Sequence, residues 1–130
     1  MKDILKFLKT NKIFYLATTC DNIPHIRPLG FVMEYNGKLT FCTSNQNDMY
    51  KQLVLNPNLE ICCVDIDYNL LRINGTAVFC TTEDSQKEAL QTMPSLGNLY
   101  SVGDGIFEIF HIENVHAVLQ TISGEKTILQ

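Results

Sequence analysis

Arginine is scarce in this chain. Of its ten basic residues only two are arginines, Arg27 and Arg72, and four of the eight lysines fall before residue 13. The formal net charge is −4. Such a chain lacks the basic field that a general nucleic-acid binder needs, so no nucleic-acid partner is expected. An anionic ligand would have to be held by a local cluster. There is also no apolar run of the roughly eighteen residues that a bilayer-spanning helix requires. The lysine-bearing N-terminus, residues 1–12, carries no apolar stretch of signal-peptide length. The expectation is a cytoplasmic protein without a membrane partner.

Paired metal-ligand motifs are missing as well. The five cysteines, Cys20, Cys42, Cys62, Cys63 and Cys80, include no Cys-x-x-Cys spacing. Cys62 and Cys63 are adjacent, so on a strand they point to opposite faces and form no local clamp. Reduced, partly buried thiols behaving as small hydrophobes are the simpler reading. His25, His111 and His116 show no metal-ligand spacing, and no nucleophile–base constellation stands out. No metal site is expected. A glycine-rich first turn is absent, as is a regular alternation of strands with helices, which excludes a doubly wound dinucleotide-binding fold.

What is present is a chain of 130 residues, 45% hydrophobic, enough for one domain over residues 1–130. Residues 3–10 read as a short amphipathic helix, with Ile4, Leu5, Phe7 and Leu8 on one face and Lys2, Lys6 and Lys9 on the other. A β-rich run follows over 13–19. A second strand is expected over 25–35, with Pro24 and Pro28 marking an edge, a bulge or a strand start. Asn36-Gly37 is a strong hairpin signal leading into a strand over 38–43. Met49, Leu53 and Val54 then repeat at helical spacing until Asn56-Pro57 stops the helix. Strands are expected over 59–65 and 70–80, the second bent or bulged at Gly75. Thr81 or Thr82 caps a helix over 83–93. A loop covers 94–105, and two last strands cover 106–113 and 116–122. Six or seven strands with short helices make an all-β domain, a barrel or a sandwich.

Three places offer chemistry. Arg27 sits in the mostly apolar run His25-Ile26-Arg27-Pro28-Leu29-Gly30-Phe31-Val32. It is either an anion ligand, because a guanidinium fork matches phosphate oxygens, or an edge arginine held by solvent or an ion pair. Thr43-Ser44-Asn45-Gln46-Asn47 joins a strand to a helix. It is either an anion cradle or a set of ordinary helix caps, and Lys51, one turn into the helix, faces either that cradle or solvent. Arg72 lies in Leu71-Arg72-Ile73-Asn74-Gly75, where a buried pair with an aspartate is the plainer reading. Cys42 reads as a core residue and His111 as a solvated one.

In this order and with these gaps, the segments Leu16-Ala17-Thr18-Thr19, Pro24-His25-Ile26-Arg27-Pro28, Lys38-Leu39-Thr40-Phe41-Cys42-Thr43-Ser44-Asn45, Tyr50-Lys51-Gln52-Leu53, Asn56-Pro57 and Leu71-Arg72-Ile73-Asn74-Gly75 resemble the pyridoxamine-phosphate-oxidase-like split barrels that bind flavin mononucleotide (FMN). The resemblance is closest over residues 13–78. It implies an antiparallel split β-barrel of six to seven strands. It also implies a homodimer with FMN in clefts at the subunit interface. Arg27 would hold the phosphate, the backbone of Pro28, Leu29, Gly30, Phe31 and Val32 would lie along the isoalloxazine ring, and Thr43, Ser44 and Asn45 would add phosphate contacts.

Two departures from the family pattern stand out. Asn47 replaces a lysine that relatives often carry near the start of the helix, leaving Lys51 to compensate. Leu70 stands where the oxidase proper has a glutamine against the flavin. The tail, residues 125–130, is too short to supply that enzyme's substrate region, which argues against vitamin B6 oxidation. The expected function is an FMN-dependent oxidoreductase of an unidentified small molecule. Its alternatives are a non-catalytic flavin- or haem-binding module or sensor, and a dimeric scaffold that has lost its ligand.

Overall fold

A computed structural model describes all of residues 1–130. Eight strands form one wholly antiparallel sheet. They are β1 (Phe14–Cys20), β2 (Ile23–Leu29), β3 (Met33–Tyr35), β4 (Lys38–Ser44), β5 (Asn58–Val64), β6 (Leu70–Phe79), β7 (Phe107–Gln120) and β8 (Lys126–Ile128). The helices are α1 (Lys2–Asn11), α2 (Asp48–Leu55) and α3 (Glu83–Thr92), with a 3-10 turn at Pro94–Asn98. The strand order is β2-β1-β5-β6-β7-β4-β3, and β8 adds to β7.

That order forces curvature. β2 and β3 are consecutive in the chain yet lie at opposite ends of the sheet. Seven flat strands would set those ends about 29 Å apart, whereas the step from Leu29 to Met33 spans at most about 14 Å of extended chain. The sheet therefore rolls up until its ends approach, and no ladder joins β2 to β3. This is the split barrel that the sequence implies. Pro24 and Pro28 sit on β2, a terminal strand where a missing N–H costs no ladder bond.

The barrel interior is filled from every strand that alternates inward. Phe14, Phe41 and Phe110 are fully buried. Phe41 stacks on Phe110 at 5.5 Å between ring centroids and meets Phe14 edge-on at 5.8 Å. Ile4 and Leu8 of α1 and Met49 and Leu53 of α2 close the same core. A second, smaller cluster gathers Phe31, Met33, Ala89, Phe107 and Ile109 beneath α3. Thr82 caps α3 by accepting from Ser85 N–H while its own N–H donates to the Ser85 hydroxyl.

Several element boundaries differ from the sequence expectation. The single strand expected over 25–35 is two strands at opposite sheet ends, broken at residues 30–32. The two strands expected over 106–113 and 116–122 are one continuous β7, which passes Asn114 at φ 54°. The tail contributes β8, so the sheet has eight strands rather than six or seven. Gly75 lies where the β6–β7 register shifts between Asn74 and Thr76. A Cβ there would come within 3.3 Å of Glu113 O and Ile112 Cβ, so a side chain at the bulge would push its neighbours aside by a few tenths of an ångström. No helix is long and apolar enough to cross a membrane.

Candidate functional site

The barrel's one large cleft opens between β2, the end of β4 and the start of α2. Its volume is about 520 Å³, within the range of small-molecule sites. Residues 25–29 form one wall, Cys42 and Thr43 the floor, and Asn47, Asp48, Met49 and Gln52 the helical side, with Tyr100 at the far end. A second hollow of about 290 Å³ continues from it past Gly30 and Phe31 to Met93, Leu96 and Leu99. The two share Pro28, Leu29, Cys42 and Tyr100. The first is polar and carries Arg27 and Asp48, whereas the second has no charged side chain.

Alternation on β1 and β2 explains how Arg27 reaches this cleft. Phe14, Leu16 and Thr18 face inward on β1, and Leu29, Arg27 and His25 are their register partners on β2. Arg27 thus shares a face with the core residues and its guanidinium leans under α2. Nη1 donates to Thr18 Oγ1 at 2.9 Å and to Leu16 O at 3.3 Å, and Nη2 donates to Gln52 Oε1 at 2.5 Å. Thr18 Oγ1 donates to the same Oε1 at 2.6 Å. Burial lowers the Arg27 pKa, and the charge of nearby Asp48 opposes that effect. No carboxylate oxygen lies within ion-pair distance of Arg27.

The β2–β3 connection supplies a different kind of group. Residues 30–32 belong to no strand, and their N–H groups make no hydrogen bond within the chain. Phe31 and Val32 are nonetheless 6% and 4% exposed. Main-chain donors on buried residues are rarely left unpaired. Their place beside the cleft fits a ligand that brings acceptors.

The other expected site residues are placed as follows. Thr43 lines the cleft and is 4% exposed; Asn47 Nδ2 approaches its hydroxyl at 3.5 Å. Ser44 is buried and its Oγ accepts from Gln46 N–H at 3.1 Å. Asn45 turns to β7, donating to Gly105 O at 2.8 Å and Glu108 Oε2 at 3.0 Å. Lys51 is exposed and does not line the cleft. Asn47 occupies the N-cap position of α2, as the capping reading expects, but makes no side-chain capping hydrogen bond.

Two further expectations, for Arg72 and His111, are corrected, and one, for Cys42, is extended. Arg72 is not buried and meets no aspartate: its side chain is 52% exposed, with Nε 3.7 Å from Glu60 Oε2 on the outer face of the sheet. Cys42 packs against the smaller core cluster as expected and also lines the cleft, and burial pushes its thiol up to about 12. His111 is not free in solvent: it meets Glu113 Oε2 at 3.2 Å.

Sequence reading missed Gln52, Asp48 and Thr18. The spacing of Asp48 and Gln52, one helical turn apart, puts both on one face of α2. Nothing in the sequence said which face.

Comparison with known proteins places this architecture. The family model for pyridoxamine 5'-phosphate oxidase matches residues 1–112. A NimC/NimA family protein from Clostridium acetobutylicum is 35% identical, with a TM-score of 0.93 over 99% of this chain and 93% of that one. A pyridoxamine 5'-phosphate oxidase-related, FMN-binding protein from Nostoc punctiforme is 14% identical, with a TM-score of 0.62 over 99% and 94%. An FAD-binding protein from Mesorhizobium loti is also 14% identical, with a TM-score of 0.63 over 92% and 94%. No protein of curated function matches.

Proposed function

Because this chain belongs to the pyridoxamine 5'-phosphate oxidase family, we propose that it is a flavoprotein that binds one FMN per chain in the cleft between β2 and α2 and serves as an oxidoreductase of a small molecule. The observation that carries this reading is the pairing of unlike donors along one wall. Arg27 offers a half-buried guanidinium at the polar end. Beyond Leu29, Gly30 and Phe31, whose N–H groups are unpaired within the chain, line an uncharged hollow. A mononucleotide has the complementary sequence of groups: an anionic phosphate at one end, and at the other a flat, largely apolar ring edged with carbonyl oxygens. The names of the Nostoc and Mesorhizobium proteins, both flavin binders on this fold, support the same choice.

In this reading the parts of the cleft divide the work. Arg27 holds the phosphate, and Thr43 and the uncapped start of α2 offer further donors. The backbone of residues 28–32 fixes the ring, and Cys42 beneath it stays a neutral thiol at physiological pH. When bound, the flavin supplies hydride or electron transfer; the protein positions and tunes it. The open hollow lined by Met93, Leu96 and Leu99 gives a second reactant an apolar seat.

A second copy of the chain completes the proposal. On the outer face of the sheet one cross-strand row runs Pro28, Tyr15, Cys62, Arg72, Val118 and Ile128. Tyr15 and Ile128 are exposed, as are Ile26 and Val64 on the same face. These exposed apolar side chains flank a polar centre at Arg72 and Glu60, and a twofold partner would cover them with its own copy. Pro28 stands both in this row and on the rim of the cleft, so the partner would border the flavin.

Arg27→Ala tests the assignment. A charge-assisted hydrogen bond is worth about 1.5–3 kcal/mol, so the variant should bind FMN roughly ten- to a hundredfold more weakly in a fluorescence-quenching titration. Unchanged affinity would remove Arg27 from the site.

A further inference from the structure

We infer that Gln52, acting with Thr18, is a positioning residue that aims Arg27 at the phosphate of the ligand. This rests on the reading that Arg27 is the phosphate ligand, and it names what makes that arginine selective.

Three groups from three elements interlock. Gln52 Oε1 accepts from Arg27 Nη2 at 2.5 Å and from Thr18 Oγ1 at 2.6 Å, while Thr18 Oγ1 accepts from Arg27 Nη1 at 2.9 Å. An arginine only donates, so it fixes the Gln52 amide with its oxygen inward. That oxygen's two lone pairs are then both used. Thr18 is 2% exposed, so its hydroxyl has no water to fall back on and the triangle is closed.

Counting donors shows what remains. A guanidinium has five N–H groups. Leu16 O and Thr18 take the two on Nη1, and Gln52 takes one on Nη2. The other Nη2–H and the Nε–H make no hydrogen bond within the chain. These two lie on one edge of the planar group, and a parallel pair of donors is the geometry that matches two oxygens of a phosphate. The protein thus occupies one side of the fork and leaves the other presented.

The chemistry of the partner matters as much as its place. A glutamine oxygen orients the cation without neutralising it. A carboxylate at this position would form an ion pair and cancel the charge the phosphate needs. Asp48, one turn earlier on the same helix, already places one negative charge in the cleft near Arg27.

The test compares FMN with riboflavin, the same ring and ribityl chain without phosphate. Dissociation constants for both come from quenching of flavin fluorescence, with wild type, Arg27→Ala, Gln52→Leu, Gln52→Glu and Thr18→Val. Wild type should prefer FMN, and Arg27→Ala should abolish that preference. Gln52→Leu and Gln52→Glu should each cut the FMN-to-riboflavin preference roughly tenfold, the scale of one charge-assisted hydrogen bond, with riboflavin affinity unchanged. Thr18→Val should cut it in the same direction.

A glutamine variant that keeps the wild-type preference, or that loses both flavins equally, overturns the inference while leaving the phosphate reading intact. A wild type with no preference for FMN overturns the phosphate reading and the inference together. The near-isosteric Gln52→Glu keeps the test decisive if Gln52→Leu fails to fold.

Discussion

At the residue scale, the decisive feature is a charge placed on an inward face. Arg27 is visible in the sequence because it interrupts an apolar strand, and the same logic singles out Arg72. The two are separated by strand phase. Arg27 shares a face with Leu16 and Thr18 through its register on β1, whereas Arg72 pairs with Cys62 and Val118 on the outside. A one-residue shift of phase exchanges the faces, and no local pattern around either arginine reports it. Gln52 was illegible for another reason: its partner Thr18 is 34 residues away, and only the packing of α2 against β1 brings them together. Cys42 carries a prediction at this scale. Burial raises its thiol to about 12, so it should stay protonated and unreactive at pH 8. Timed alkylation with peptide mapping should label the partly exposed Cys20 well before Cys42. Equal rates would contradict the buried, neutral thiol described here.

At the element scale, most strands and all three helices could be read from periodicity, capping and turn residues. Asn36-Gly37 does separate β3 from β4, with both residues at positive φ. The misread boundaries share one cause, since each depends on pairing rather than on local preference. β2 and β3 look continuous until the sheet must close around them. Glu113-Asn114 looks like a break, yet β7 runs through it because β6 pairs on both sides of the bulge at Gly75. β8 is three exposed residues that become a strand only by meeting Val118 to Gln120.

The loop before β7 carries a pH prediction. Asp104 accepts from the N–H groups of Ser101, Ile106 and Phe107, which hold its carboxyl below the usual aspartate range. A depressed carboxylate stabilises the fold above its unfolded pKa of about 3.9, and that contribution is lost as pH falls through the lower folded value. Asp104→Asn should therefore lower the Tm at pH 7, and the gap from wild type should close as the medium is taken well below pH 4. A gap that stays constant down to pH 2 would show that the charge plays no part.

At the scale of the whole molecule, the account joins three surfaces: the polar cleft with Arg27, the apolar hollow beyond residues 30–32, and the outer sheet face that a second copy would cover. The family resemblance led to Arg27 and to a second copy, whereas the hollow emerged from the structure. A single cation is held by neutral acceptors, the charge of a nearby aspartate favours its protonated form, and Lys51 stands outside the cleft. The measurement that tests the account most directly is native mass spectrometry of the purified protein with added FMN. The account predicts two chains carrying two FMN molecules. One chain carrying one FMN would keep the site and remove the partner; a protein that carries no FMN in any assembly would contradict the central claim.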